Sequence, residues 1–139
     1  MQKLFEAYIP AGVKKVGNII ISFNNDEVSN KISHCLQLNG FGVYTCKTFA
    51  ELMEIEHEDV KCIVVDITKG HRSTFHAIEL IKQLPLGAII PLLVVADRES
   101  TTNVVRALNS GANDYIIYPY SDKDFIARIK KMISTRAEN

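Results

Sequence analysis

An unbroken apolar run in the middle of the chain constrains the fold more than any other feature. Residues 62–65 read Cys-Ile-Val-Val, and Asp66 follows them directly. A run of this kind, rich in β-branched residues, is typical of a strand that is buried on both faces of a parallel sheet. In open parallel sheets, ligands and chemistry lie just beyond the carboxyl ends of the strands. The pattern therefore predicts a sheet covered on both faces, with Asp66 at its functional edge.

Strand and helix signals alternate along the rest of the chain. The predicted strands are 18–22, 42–46, 62–66, 91–95 and 115–118. The predicted helices begin at Asp26, after Thr48, at Ser73 or Thr74, after Ser100 and at Asp122. Strict alternation implies parallel strands joined by right-handed crossovers. The sequence therefore predicts an α/β fold with one doubly wound sheet.

The first predicted helix carries signals at both ends. Asp26 is expected to cap its start, and Asn39-Gly40 is expected to end it near Leu38. The apolar positions at helical spacing are expected to face the sheet; they are Val28, Ile32, Cys35 and Leu36.

Composition and charge limit the classes of function. The 139 residues include 16 Lys plus Arg and 16 Asp plus Glu, so the chain lacks the basic bias of a nucleic-acid-binding module. The odd number of cysteines, 3, predicts reduced thiols in a cytoplasmic protein. The sequence shows neither a signal peptide nor an apolar run of the ~20 residues that a membrane span needs. We therefore expect no direct contact with nucleic acid or membrane.

The regular pattern covers most of the chain but not its ends. Residues 1–16 are interpreted as an N-terminal extension, 17–134 as one domain, and 135–139 as a polar tail or the start of a linker. No internal repeat or low-complexity segment interrupts the domain.

Residues 111–120 carry a specific resemblance. They read Gly-Ala-Asn-Asp-Tyr-Ile-Ile-Tyr-Pro-Tyr. This is similar to the Gly-Ala-x-Asp-Tyr-φ-φ-Lys-Pro-Phe signature (φ is apolar) of receiver domains in bacterial two-component response regulators. The strand that ends at Asp66 and the turn Asn39-Gly40-Phe41 also resemble that family, and the match covers roughly residues 18–134. The resemblance implies a flavodoxin-like sheet of five parallel strands in the order 2-1-3-4-5.

The resemblance also assigns site positions, and several depart from the family pattern. Asp66 matches the phosphoacceptor, and Tyr115 matches the switch aromatic. The family's acidic, metal-binding pair, its Thr or Ser after the fourth strand and its Lys before the proline are replaced here by, respectively, Phe23 with Asn24, Ala96 and Tyr118.

These replacements remove the usual helpers of phosphoryl transfer. Mg²⁺ usually takes one or two carboxylates with other oxygen ligands, and phosphoryl transfer depends on cations that neutralise the equatorial oxygens. We therefore expect no metal, no cofactor and no catalytic residue, and the domain is not expected to be an enzyme. A rearranged loop that brings Asp26 or Glu27 to the site is an alternative, although helix capping is the preferred role of Asp26.

Other residues near Asp66 leave alternatives open. Lys69, His71 and Arg72 form a basic loop that either neutralises the carboxylate or is merely solvated. Tyr118 either donates its hydroxyl to Asp66 or covers the site with its ring. Cys62 is interpreted as a small apolar filler of the core.

The last predicted helix suggests a mode of association. Residues 125–129, Phe-Ile-Ala-Arg-Ile, resemble the corresponding segment in receivers of winged-helix transcription regulators. The resemblance implies that Asp114 and Arg128 help two receivers to pair, and Val104 stands at a position where that class has a basic residue. We therefore expect a homodimer, with an attached or partner output domain.

Together these features predict an atypical pseudo-receiver domain. It is expected to act by protein–protein contact, without Mg²⁺-dependent phosphorylation. One alternative is a receiver that phosphorylates Asp66 slowly through a non-standard metal site. A more remote alternative is a flavodoxin-like domain that binds a small molecule, although neither a Gly-x-Gly-x-x-Gly nor a Walker loop is present.

Overall fold

One parallel sheet organises the part of the chain that the computed structural model describes, residues 9–54, 59–85 and 89–137. Its strands are β1 (Gly17–Ser22), β2 (Phe41–Thr45), β3 (Val60–Asp66), β4 (Leu92–Asp97) and β5 (Asp114–Tyr118). Their order across the sheet is β2-β1-β3-β4-β5, and every adjacent pair is parallel. The predicted fold class and strand order are confirmed.

Helices follow the strands in strict alternation. They are α1 (Asp26–Leu38), α2 (Phe49–Glu54), α3 (Arg72–Gln83), α4 (Thr101–Ser110) and α5 (Asp122–Ala137), with a 3₁₀ turn at Arg98–Ser100 before α4. Among the described residues, no helix combines the length and the apolar character that crossing a membrane would need.

The strands bury alternate side chains in two separate core layers. Ile19 and Ile21 of β1 pack with residues of α1 and α5, including Leu36, Phe125 and Ile129. Ile20, between them, points to the opposite face, where α2, α3 and α4 pack. Because successive side chains of a strand alternate between faces, a continuous apolar run is required when both faces are covered.

The register of the strands brings Asp66 to the carboxyl edge of the sheet. Asp66 lies opposite Val95 of β4, and Asp97, two residues further on, lies opposite Tyr118 of β5. The ends of three neighbouring strands therefore meet beside the first turns of the helices that follow them.

The start of α3 and the capping residue of α1 are corrected, whereas the other helices begin where they were predicted. Asn25, not Asp26, is the N-cap of α1, and its side chain accepts a hydrogen bond from the amide of Val28 at 3.1 Å. The side chain of Val28 is 37% exposed, so it does not face the sheet as predicted. α3 begins at Arg72 with His71 as its N-cap, ahead of Ser73 and Thr74.

The chain ends and loops meet the predictions in part. The residue before β1, Val16, donates its amide to the carbonyl of Gly40 at 2.8 Å, so this part of residues 1–16 contacts the turn between α1 and β2. α5 runs to Ala137, past residue 134, where the sequence pattern becomes polar. Residues 1–8 of the predicted N-terminal extension and residues 138 and 139 of the predicted tail lie outside the described residues. The division into domains stays a prediction.

Candidate functional site

The centre of the candidate site is the turn that follows β3. Asp66 is half-buried, and its Oδ1 accepts a hydrogen bond from the amide of Thr68 at 3.0 Å. The amide of Ile67 donates to the carbonyl of Val95 at 2.9 Å, which extends the pairing of β3 with β4 by one residue. The side chain of Asp66 therefore stabilises the turn at the sheet edge where it was predicted to lie.

The side chains that follow β1 have roles other than assisting Asp66. Phe23 is 4% exposed because it continues the alternation of Ile19 and Ile21 and packs in the core layer of α1 and α5. Asn24 is exposed, and the next residue is the N-cap of α1. Asp26 forms an ion pair with Lys47 at 2.9 Å. This pair holds its carboxylate on the β2–α2 loop instead of at Asp66.

The end of β4 supplies a second carboxylate, that of Asp97. Ala96 is fully buried, as its small apolar side chain allows. Asp97 follows it, and its Oδ1 accepts hydrogen bonds from the hydroxyl of Ser100 at 2.7 Å and from the amide of Glu99 at 3.1 Å. The expected side-chain cap from Ser100 to α4 is absent, because that hydroxyl is used on Asp97. The capping box after the strand could have been recognised from the spacing of Asp97 and Ser100.

The end of β5 contributes aromatic rings. The side chain of Tyr118 is 55% exposed and meets the ring of Tyr120 edge to face, with 5.8 Å between centroids. Tyr120 in turn stacks on Phe125 of α5 at 5.3 Å. Burial, with the nearby Cys35 and Asp122, raises the pKa of Tyr120 to about 12. The three aromatic rings form a continuous row from the edge of the site to the core. Tyr118 makes no hydrogen bond to Asp66.

The basic loop does not neutralise Asp66 in this structure. Within the described residues, no ion pair joins the carboxylate to Lys69, His71 or Arg72. Lys69 is exposed, and Arg72 is already the first residue of α3. The turn after Asp66 directs these side chains toward solvent, so the solvated alternative describes them.

The residues at this edge do not fit Mg²⁺. In the part of the chain that the structure describes, no three His, Cys, Asp or Glu side chains are grouped so that they could hold a metal ion. Asp66 supplies a single carboxylate, Phe23 has no oxygen in its side chain, and Asp97 is engaged in a cap. Mg²⁺ demands near-octahedral oxygen ligands, and this donor set falls short of them.

A second surface lies away from Asp66, on α4, β5 and α5. Val105, Leu108 and Tyr115 are 62%, 39% and 40% exposed. Val104, expected at a dimer contact, is only 7% exposed because it packs in the core layer of α3 and α4. It therefore offers almost no surface, and Val105 beside it is the accessible apolar residue.

Comparison with known proteins finds that the chain is similar to response regulators. It is 25% identical over 122 residues to the transcriptional regulatory protein CpxR homolog of Haemophilus influenzae, covering 88% of this chain and 52% of the relative. It is also 25% identical over 123 residues to the sensory transduction protein RegX3 of Mycolicibacterium smegmatis, covering 88% and 53%. The chain thus spans about half the length of the curated relatives it matches. No protein-family model matches the chain.

Solved structures show the same fold. The response regulator receiver domain protein (CheY-like) of Methanospirillum hungatei superposes with a TM-score of 0.76 at 23% identity, covering 89% of this chain and 98% of that one. The receiver domain protein of Clostridium thermocellum gives a TM-score of 0.75 at 17% identity, covering 87% and 97%.

Proposed function

We propose that this chain, a receiver domain of the response-regulator family of two-component signalling proteins, works without Mg²⁺-dependent phosphorylation. The observation that carries the proposal is the set of residues around Asp66. Phe23 is buried in the core, Asp26 is paired with Lys47, and Asp97 caps the turn before α4. Phe23 therefore offers no oxygen, and the carboxylates of Asp26 and Asp97 are engaged by other partners.

Physical chemistry supports the same reading. A bound metal is the main neutraliser of charge in phosphoryl transfer, and a nearby cation or hydroxyl supplements it. Ala96 has no hydroxyl, Tyr118 carries no positive charge, and Lys69 points to solvent. A phosphoryl group on Asp66 would therefore add charge beside groups that cannot compensate for it. The domain acts as a signalling module and not as an enzyme.

The output in this proposal is contact between protein surfaces. The exposed apolar residues Val105 and Leu108 of α4 lie on a surface with Tyr115 and the ion pair between Asp114 and Arg128. Exposed apolar residues with a charged rim are typical of association sites. We propose that two copies pair symmetrically here, as most homodimers do. Because the relatives are transcriptional regulators of about twice this length, the pairing would control a transcriptional output domain.

The proposal is tested by intact-mass spectrometry after incubation with acetyl phosphate and millimolar Mg²⁺. The expected spectrum shows no species heavier by one phosphoryl group, and Asp66→Asn is the matched control. A receiver with a complete acidic pair, treated in the same tube, verifies that the donor is active. A phosphorylated species in the parent protein and not in Asp66→Asn would overturn the proposal.

A second candidate is a slowly phosphorylated receiver. It is favoured by the partial exposure of Asp66 and by its position at the carboxyl edge, where the family carries its phosphoacceptor. A titration with Mg²⁺ followed by NMR separates the two candidates. Shifts confined to the amides of residues 23–26 and 66–70 would support the metal-dependent candidate, and unchanged spectra would support the first.

A further inference from the structure

The turn after β3 is bound to α4 by a side chain that is distant in sequence. The carbonyl of Ile67 accepts a hydrogen bond from Nδ2 of Asn103 at 3.0 Å, across 36 positions of the chain. The same carbonyl accepts from the amide of Gly70 at 3.1 Å. Two donors satisfy both lone pairs of this oxygen, so the first turn of α4 is attached directly to the loop that begins at Asp66.

Gly70 lets the two segments approach each other closely. Its φ of +61° lies in the left-handed region, which favours glycine. A Cβ on Gly70 would lie 2.6 Å from Nδ2 of Asn103, well inside van der Waals contact. A side chain at residue 70 would therefore have to displace the amide of Asn103 from the turn.

Two more contacts hold the middle and the far end of α4. The guanidinium of Arg106 lies 4.3 Å from the centre of the Phe75 ring on α3, which is a cation–π geometry. Beyond the helix, Oδ1 of Asn113 accepts from Nζ of Lys82 at 3.0 Å and from the amide of Leu92 at 2.8 Å. These contacts join α4 and the turn that follows it to α3 and to β4.

We propose that these contacts form a clamp, made of Asn103 on Ile67, Arg106 on Phe75, and Asn113 with Lys82, that holds α4 in one position. Asn103 is its positioning residue, because it alone of the three reaches the turn of the candidate site. The inference rests on the proposed function, in which α4 presents Val105 and Leu108 to a partner. Ala96 has no hydroxyl through which a phosphoryl group on Asp66 could move the loop before α4. The contacts of the clamp therefore set the position of α4.

The chemistry of Asn103 makes the clamp testable without destroying the turn. Removing its amide leaves the bond from Gly70 to Ile67 in place, so the carbonyl keeps one partner. Asn103→Ala is therefore expected to release the first turn of α4 while the fold remains. Asn103→Asp keeps the size of the side chain but replaces the donor with a carboxylate that repels the carbonyl, and it is expected to have the same effect.

The experiment is ¹⁵N relaxation dispersion on the full chain, which reports motion on the microsecond-to-millisecond scale. Flat profiles are expected for the amides of residues 101–110 in the parent protein. Exchange contributions are expected there, and at residues 67–70, in Asn103→Ala and Asn103→Asp. Thr102→Ala, at an exposed position of the same helical turn, is the matched control and is expected to stay flat. Measurement at two protein concentrations identifies exchange that arises from association.

Three results would overturn the clamp: exchange across α4 in the parent protein, flat profiles in both Asn103 variants, or equal exchange in Thr102→Ala. If Asn103→Ala proves unfolded, Asn103→Asp and the parent profile decide the matter. The outcome is separable from the proposed function. Phosphorylation of Asp66 with flat dispersion in the parent and exchange in the variants would refute that function and leave the clamp standing.

Discussion

Nη1 of Arg128 lies 3.1 Å from Oδ1 of Asp114, so an ion pair joins α5 to the start of β5 within one chain. The side chains of Arg128 and Asp114 are 39% and 28% exposed. Partly exposed pairs of this kind contribute little to stability, and their charges act mainly on which partner binds and in which orientation. The pair lies at the surface proposed for dimerisation, where its charges would orient a second copy.

Arg128→Glu is expected to weaken the dimer and to leave the fold intact. The substitution places two carboxylates side by side at the contact, and the loss of the ion pair costs less than about 1 kcal/mol of folding free energy. Sedimentation velocity measures the dimer, and thermal unfolding measures the fold. Lys131→Glu makes the same charge change at an exposed position of α5 and is the control. A parent protein that stays monomeric at high micromolar concentration, or a dimer unaffected by Arg128→Glu, contradicts the prediction.

Adjacent valines of α4 are expected to respond in opposite ways. Val105→Asp, at a side chain 62% exposed, is expected to abolish dimerisation while unfolding stays within about 0.5 kcal/mol of the parent. Val104→Ala, at a side chain 7% exposed, is expected to lower stability by roughly 1 to 3 kcal/mol through a core cavity and to leave the dimer contact unchanged. Urea unfolding and sedimentation of the two variants are compared directly. Equal stability losses would show that Val104 is not the buried member.

The N-terminus of α1 offers a test of which residue caps it. Asn25→Ala removes the oxygen that accepts from Val28 and is expected to cost about 1 kcal/mol. Asp26→Ala removes an exposed ion pair with Lys47 and a favourable charge in the first turn, and it is expected to cost less. Urea titrations of both variants measure the difference. A larger loss of unfolding free energy in Asp26→Ala would show that Asp26 is the N-cap, as the sequence suggested.

The buried thiols predict a loss of stability at alkaline pH. Burial raises the pKa of Cys62 from 9.0 to about 12, and burial with a nearby carboxylate raises those of Cys35 and Cys46 to about 11. As pH rises through 9.0, the unfolded chain loses thiol protons that the folded chain keeps, so the free energy of unfolding falls. Tyr120, whose pKa is raised from 10.0 to about 12, adds to the loss at higher pH.

Urea unfolding measured from about pH 8 to about pH 11 tests this slope. Cys62→Ala lowers stability at every pH because it leaves a small cavity, but its stability is expected to fall less steeply with pH than that of the parent. Tyr120→Phe is expected to be flatter only above pH 10.0, where that hydroxyl titrates in the unfolded chain. Parallel curves for the parent and both variants would contradict the assignment.

The strands were predictable because burial on both faces leaves a strong trace in sequence, whereas their order was implied by the family resemblance. β1, β3 and β4 read as apolar runs, and few other structures require them. Asp66 was placed at the correct edge for the same reason. The site could be located from its strand, since strand ends are fixed by where the apolar run stops.

The choices between neighbouring residues could not be made from sequence. Asn25 and Asp26 are both good N-caps, and the path of the loop after β1 decides between them. Val104 and Val105 are equally apolar, and only the packing of α4 against α3 determines which one is buried. The contact of Asn103 with Ile67 was also missed, because no local pattern reports a hydrogen bond over 36 positions.

The core layer that joins β1 to α5 can be completed only after α5 has been synthesised. Ile19 and Ile21 leave the ribosome well before Phe125 and Ile129, which cover them. Until α5 leaves the exit tunnel, one face of the nascent sheet is open, and transiently exposed apolar surface of this kind favours aggregation and chaperone binding. A ribosome that stalls before Asp122 would thus release a chain with an uncovered sheet, and quality control would recognise it by that missing helix.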